Sequence, residues 1–184
     1  MRCGLLSLLC LLLAVAGPAR GADGKPAGTL RGVFTADPPT LDPAQATDTT
    51  SSAVIRQIFD TLVELDERLQ PGPALAERWT VSPDQRVYTF VLRAGVKFQN
   101  GRPMRAADVK FSFERAARGK RPWVFEKISG APAFIKGQGG AIAGIRVVDE
   151  RTVELTLDVP FAPFLFLMAY DAASIVPREE AERL

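Results

Sequence analysis

Val87-Tyr88-Thr89-Phe90-Val91-Leu92-Arg93-Ala94-Gly95-Val96-Lys97-Phe98-Gln99-Asn100-Gly101-Arg102-Pro103 decides the fold of this 184-residue chain. Its first half places Tyr88, Phe90 and Leu92 on one side of an alternating run, which is the period of a strand with one buried face. Upstream, Ser82-Pro83-Asp84-Gln85 has turn chemistry, and a second β-compatible run precedes it, so the spacing predicts a hairpin. Downstream, the glycine-containing stretch 95–103 predicts a loop, and Ala106 to Arg118 predicts a helix burying Val109, Phe113 and Ala116 or Ala117. Arg105 falls at the cap position of that helix. An arginine cannot accept the free N–H groups there, a deficit of about 1 kcal/mol.

Further along, Ile145 to Asp149 and Thr152 to Asp158 alternate around Asp149-Glu150-Arg151 and predict a second hairpin. Between helix and hairpin, residues 119–144 are rich in Gly, Pro and Lys and predict mostly loop with one helical turn. Gly137-Gln138-Gly139-Gly140 lies inside this stretch. Ile142 stands where a dinucleotide fingerprint needs its last glycine, and no Gly-Lys-Ser/Thr follows, so no phosphate loop is present. Phe161 to Met168 is apolar on nearly all sides and must be buried or face a partner, and its length predicts exposed apolar surface. On the N-terminal side, Pro71 to Glu77 predicts a loop. Ala53 to Val63 predicts a helix from its stripe at 54, 55, 58, 59 and 62, capped by Asp48, Thr49, Thr50 or Ser51. Leu30 to Ala36 predicts a strand ended by Asp37-Pro38-Pro39.

The first 21 residues have the form of an export address. Arg2 precedes an apolar run from Leu5 to Gly17, Pro18 breaks it, and Ala19 and Gly21 suit a signal peptidase cutting before Ala22. The run is shorter than the roughly 20 apolar residues of a membrane span, which leaves an uncleaved anchor as the less favoured outcome. Cys10 could accept lipid in a lipoprotein signal, but it sits mid-run behind Leu9, where a small residue is expected. Residues 22–29 are polar and turn-forming, suiting a flexible mature N-terminus.

Composition narrows the function. The chain has no histidine and only Cys3 and Cys10, both lost with the signal, so Ser-His and Cys-His nucleophiles, disulfides and most zinc sites are excluded. Cleavage also removes Arg2 and Arg20 and no acid. The 23 basic residues fall to 21, matching the 21 acidic ones. A neutral mature chain has no field to attract nucleic acid. Glu179-Glu180 and Asp149-Glu150 have no apolar pocket around them in the sequence and predict solvated charge, so no catalytic residue and no metal ligand is assigned.

A set of motifs recurs in order through the mature chain: Leu41-Asp42-Pro43, Pro73-Ala74-Leu75-Ala76-Glu77-Arg78-Trp79, Tyr88 to Pro103, Ala107-Asp108-Val109-Lys110-Phe111-Ser112, Thr152-Val153-Glu154-Leu155, Pro160-Phe161-Ala162-Pro163-Phe164 and Ile175-Val176-Pro177. In these the chain resembles the bacterial extracellular solute-binding proteins of family 5, the dipeptide-, oligopeptide- and nickel-binding components of ABC importers. It departs at Gln99, where the family usually has histidine, at Arg105, where it usually has a capping Thr or Ser, and in stopping inside the first of two lobes.

The resemblance implies an α/β fold, lobe one of a type II periplasmic-binding-protein-like architecture, with a mixed sheet, flanking helices and β-hairpins, incomplete. It divides the chain into a signal peptide at 1–21 and the N-terminal portion of lobe one at 22–184, with the second lobe absent. It further implies a periplasmic, non-enzymatic subunit that captures a peptide or related small solute between lobes and hands it to ABC permease subunits. No cofactor, no nucleic acid and no stable membrane insertion after signal cleavage are implied. The alternative is a truncated, non-transporting interaction or sensory module of the same fold. Thr47, Asp48, Thr49 and Thr50 are the candidate ligand-binding residues. They precede a helix whose N-terminal N–H groups favour a carboxylate or carbonyl oxygen, and the resembled peptide binders line their cleft with this loop. Plain N-capping is the competing role, and one residue can serve both.

Overall fold

The computed structural model describes residues 32–34 and 36–183. The predicted signal segment and the flexible start at 22–29 lie outside the described residues. Two units divide the chain, Met1–Val33 and Phe34–Leu184, and every described element belongs to the second. Of the strand predicted over 30–36, the described residues 32–34 and 36 are not in a strand.

Strand β3 (Ala76–Val81) and strand β4 (Val87–Leu92) form the first predicted hairpin. Tyr88, Phe90 and Leu92 are buried while the residues between them are half-buried, as the alternation requires. Strand β5 (Ile145–Val147) and strand β6 (Thr152–Thr156) form the second hairpin. The hairpins join through β4 and β6, with Phe90 opposite Val153 and Tyr88 opposite Leu155, in a four-stranded sheet of order β3-β4-β6-β5. Every pairing among the described residues is antiparallel, so the mixed sheet implied by the resemblance is not seen among them.

Helix α2 (Ala106–Ala117) packs against β5 and β6 and buries Val109, Phe113, Ala116 and Ala117, as its spacing predicts. The cap deficit at Arg105 is made good from elsewhere. The Asp108 carboxylate accepts the Arg105 N–H at 2.8 Å, and the Ala106 N–H donates to the Glu150 carbonyl at 2.8 Å. Free N–H groups at a helix start can be satisfied by any nearby acceptor, so the cap residue itself need not supply one.

Further expectations require correction. Pro71–Pro73 is not loop but a short strand, β2, paired antiparallel with β1 (Val63–Leu65). Two prolines fit because the ribbon has only two strands, and Gly72 between them, opposite Glu64, keeps its N–H. Helix α1 runs Thr49–Ile58, earlier than the predicted 53–63. Its stripe ends because the backbone of 60–62 is committed elsewhere: Asp60, Thr61 and Leu62 carbonyls accept from Ile175, Leu75 and Ala76. Leu62 is buried in that turn rather than on the helix.

The stretch 119–144 is mostly loop with one short α-helix, as predicted, but it is packed. A 3-10 turn (Pro122–Val124) and helix α3 (Ala131–Ile135) seat Val124, Phe125, Ile128, Ala131, Phe134 and Ile142 in the core, with Phe125 against Phe113 at 5.2 Å. The run after Pro160 holds helix α4 (Phe164–Met168). Phe164 and Met168 are fully buried, Phe164 lying 4.7 Å from Tyr88, and Phe166 is the one large apolar side chain of the run that is exposed, so most of the predicted apolar surface is covered. Helix α5 (Arg178–Ala181) follows Ile175-Val176-Pro177, whose Val176 N–H donates to Ser112 Oγ of α2 at 2.9 Å.

Candidate functional site

The candidate residues sit on the connection from Thr40 to α1. Asp42 opens it with a turn in which its carboxylate accepts the Ala44 N–H at 3.0 Å. Arg115 of α2 then grips the same carboxylate with two parallel bonds of 2.7 Å. Burial pushes the Asp42 carboxyl up, but the Arg115 and Ala44 hydrogen bonds outweigh it and hold it below its usual range. Past Ala44 the connection lies against the end of α2. The Ala44 carbonyl accepts the Lys120 N–H at 2.9 Å, and a Cβ on Gly119 would stand 2.1 Å from that carbonyl oxygen, an approach only glycine permits.

Helix α1 begins on Asp48, whose carboxylate accepts the Ser51 N–H at 2.8 Å. That bond, together with the Ser51 hydroxyl, holds the Asp48 carboxyl below its usual range. Of the four candidates, Thr47 and Thr49 are exposed and Asp48 and Thr50 are half-buried. The structure therefore brings all four to one helix start, where Asp48 acts as the cap and the threonines flank it.

Beneath this helix start lies a cluster that sequence reasoning missed. Asp171, 1 % exposed in a 3-10 turn (Asp171–Ala173), accepts the Ser52 hydroxyl at 2.6 Å and Arg121 Nη1 at 3.0 Å on each oxygen. Arg121 lies over the Tyr170 ring at 5.1 Å, and Tyr170 meets Trp123 edge-on at 5.2 Å. No sequence signal joins residues 52, 121 and 171, because their spacing in the chain follows no helical or strand period.

A concavity of about 850 Å³ lies elsewhere, between the end of α1, the 96–104 turn and the 175–183 segment. Its lining is chiefly apolar, with Phe59, Leu75, Val96, Phe98, Met104 and Ile175, and the Asp42–Arg115 pair stands at its edge. None of the four candidate residues lines it. Among the described residues no carboxylate cluster could hold a metal ion, and no helix is long and apolar enough to cross a membrane.

Comparison with known proteins adds a family to this geometry. Residues 70–183 match the model of bacterial extracellular solute-binding proteins, family 5 Middle. The chain is 38% identical over 176 residues to the probable D,D-dipeptide-binding periplasmic protein DdpA of Escherichia coli strain K12, covering 92% of this chain and 31% of that protein. It is 38% identical over 193 residues to di/tripeptide-binding protein 4 of Pseudomonas aeruginosa strain UCBPP-PA14, covering 98% of this chain and 35% of that one. Among solved structures it is similar to the periplasmic murein tripeptide-binding protein MppA in its unliganded open form, with a TM-score of 0.78 and 31% identity over 82% of this chain and 30% of that one. The chain thus spans about a third of the length of these relatives. The fold is that of part of a type II periplasmic-binding-protein-like molecule.

Proposed function

From the premise that this chain belongs to the bacterial extracellular solute-binding proteins of family 5, we propose that it captures peptides or a related small solute in the periplasm and presents them to an ABC permease. The observation that carries the reading is the family match over 70–183, on a fold shared with a tripeptide-binding protein. The relatives named above are binding proteins, and the chain acts by binding rather than by turnover. Export through cleavage of residues 1–21 delivers it to the periplasm.

Within that role, Thr47, Asp48, Thr49 and Thr50 form part of one wall of the ligand cleft. The support is the exposure of Thr47 and Thr49, beside half-buried Asp48 and Thr50, at the start of a ten-residue helix whose N-terminal dipole favours a carboxylate or carbonyl oxygen. A cleft closed from two sides holds its ligand by burial on both faces, and each 1.4 kcal/mol lost with one wall costs about tenfold in affinity. Calorimetry with a panel of di- and tripeptides tests the proposal on two polypeptides. The product of the complete reading frame should bind at least one peptide saturably, and residues 22–184 alone should not. A reading-frame product that binds no peptide overturns the substrate class. Tight binding by residues 22–184 overturns the two-walled cleft.

A further inference from the structure

We infer that Asp171 is a positioning residue for the 47–50 loop, holding the start of α1 in its ligand-receiving place through Ser52. The inference rests on the proposed ligand contact of that loop.

Ser52 stands in the first turn of α1, four residues after the cap Asp48. Its hydroxyl lies 2.6 Å from Asp171 Oδ2 and 2.9 Å from the Asp48 carbonyl. A hydroxyl has one proton to donate, and the shorter approach to a charged oxygen takes it. The α1 start is thereby tied to a carboxylate 119 residues away in the chain. Asp171 itself cannot shift freely. Arg121, 12% exposed, bonds both its oxygens, and the Ser174 hydroxyl and N–H both donate to its backbone carbonyl at 2.7 and 3.1 Å.

A buried ion pair is a poor source of net stability, because desolvation of both charges offsets their attraction. It is effective at specifying one geometry, since any displacement leaves a charge unpaired in a dry site. Here the specified geometry is the helix start that carries Asp48, Thr49 and Thr50. Asp48 needs only Ser51 N–H to cap the helix, so the connection through Ser52 to Asp171 is not required for capping. It fixes where the capped end lies relative to the Arg121 and Asp171 segments.

The test uses the product of the complete reading frame and, as probe, the tightest binder from the di- and tripeptide panel. Four variants are compared: Ser52→Ala, Ser52→Thr, Asp171→Asn, and the triple replacement of Asp48, Thr49 and Thr50 by Ala. Ser52→Ala and Asp171→Asn should each weaken probe binding about tenfold and speed hydrogen exchange at the Ser51 and Ser52 amides. Ser52→Thr keeps the hydroxyl and should restore both readouts to near wild type, which a loss of packing alone would not produce. If Asp171→Asn fails to fold, the serine pair decides. Wild-type affinity in Ser52→Ala, with binding lost in the triple variant, overturns the inference and leaves the loop assignment standing. Unchanged binding in the triple variant overturns the loop assignment itself, and the inference with it. A panel with no binder also overturns both.

Discussion

Glu179 illustrates how single side chains hold the 98–103 turn to α5. Arg102 Nε donates to it at 2.7 Å and Asn100 Nδ2 at 2.8 Å, while the remaining Arg102 nitrogens grip Asp108 at 2.8 and 3.0 Å. The Arg102 guanidinium first, then the backbone N–H of Glu179 itself and the Asn100 amide, lower the Glu179 carboxyl from 4.5 to about 2. A carboxyl depressed on folding contributes stability that is fully present above its unfolded value, and that contribution is lost as pH falls through the folded value. The window therefore runs from about 4.5 down to about 2. Glu179→Gln should lower the thermal midpoint at pH 6, and the gap to wild type should close as the pH is stepped down to 2.5. The pair is half-exposed, so 1 M salt should narrow the gap at pH 6 as well. A gap independent of pH would show that Glu179 acts by packing rather than by charge.

At the scale of elements, what was legible followed period. Both hairpins and α2 have apolar residues at strand or helix spacing, and each formed where that spacing placed it. The β1–β2 ribbon was illegible because Pro71 and Pro73 argue against a strand wherever both edges must pair, and here only one does. Residues 119–144 are mostly loop, as glycine and proline predict, but their packing was illegible because irregular backbone can still be packed. Gly144 is an instance, its Cα lying so close to Thr156 and Ser129 that a Cβ would sit 2.6 Å from the Thr156 carbonyl oxygen. For α2 the sequence showed a poor cap at Arg105 but not the acceptor three residues on. Asp108 both receives the Arg105 N–H and pairs with Arg102, and its side chain is 8% exposed. Asp108→Ala should therefore cost about 2–4 kcal/mol, combining a lost cap with the loss of two charge-assisted bonds from Arg102, which keeps only Glu179 as a carboxylate partner. Asp108→Asn keeps one acceptor oxygen and should cost less. Urea titration of both variants measures the difference, and a loss below about 0.5 kcal/mol for Asp108→Ala would show the cap to be dispensable.

Across the whole molecule, the α1 start was legible as a run of small polar residues, whereas Asp171, Arg121 and Ser52 meet only because the chain folds back over more than a hundred residues. The same separation between sequence and space governs the sheet, with kinetic consequences. Each hairpin closes over a few residues, so β3 with β4 and β5 with β6 can pair within microseconds of each other. The seam between β4 and β6 can form only after residues 93–151, with α2 and α3 inside them, have been gathered in. Gathering them costs chain entropy before any seam contact repays it, which places the rate-limiting barrier at the union of two preformed ribbons. Val153, fully buried opposite Phe90, is then part of the folding nucleus. Val153→Ala should slow refolding in stopped-flow fluorescence, with Trp79 beside Phe90 at 6.2 Å as reporter, by most of what it costs at equilibrium. Unchanged refolding with faster unfolding would instead set the seam after the barrier, leaving the hairpins to assemble on α2 first.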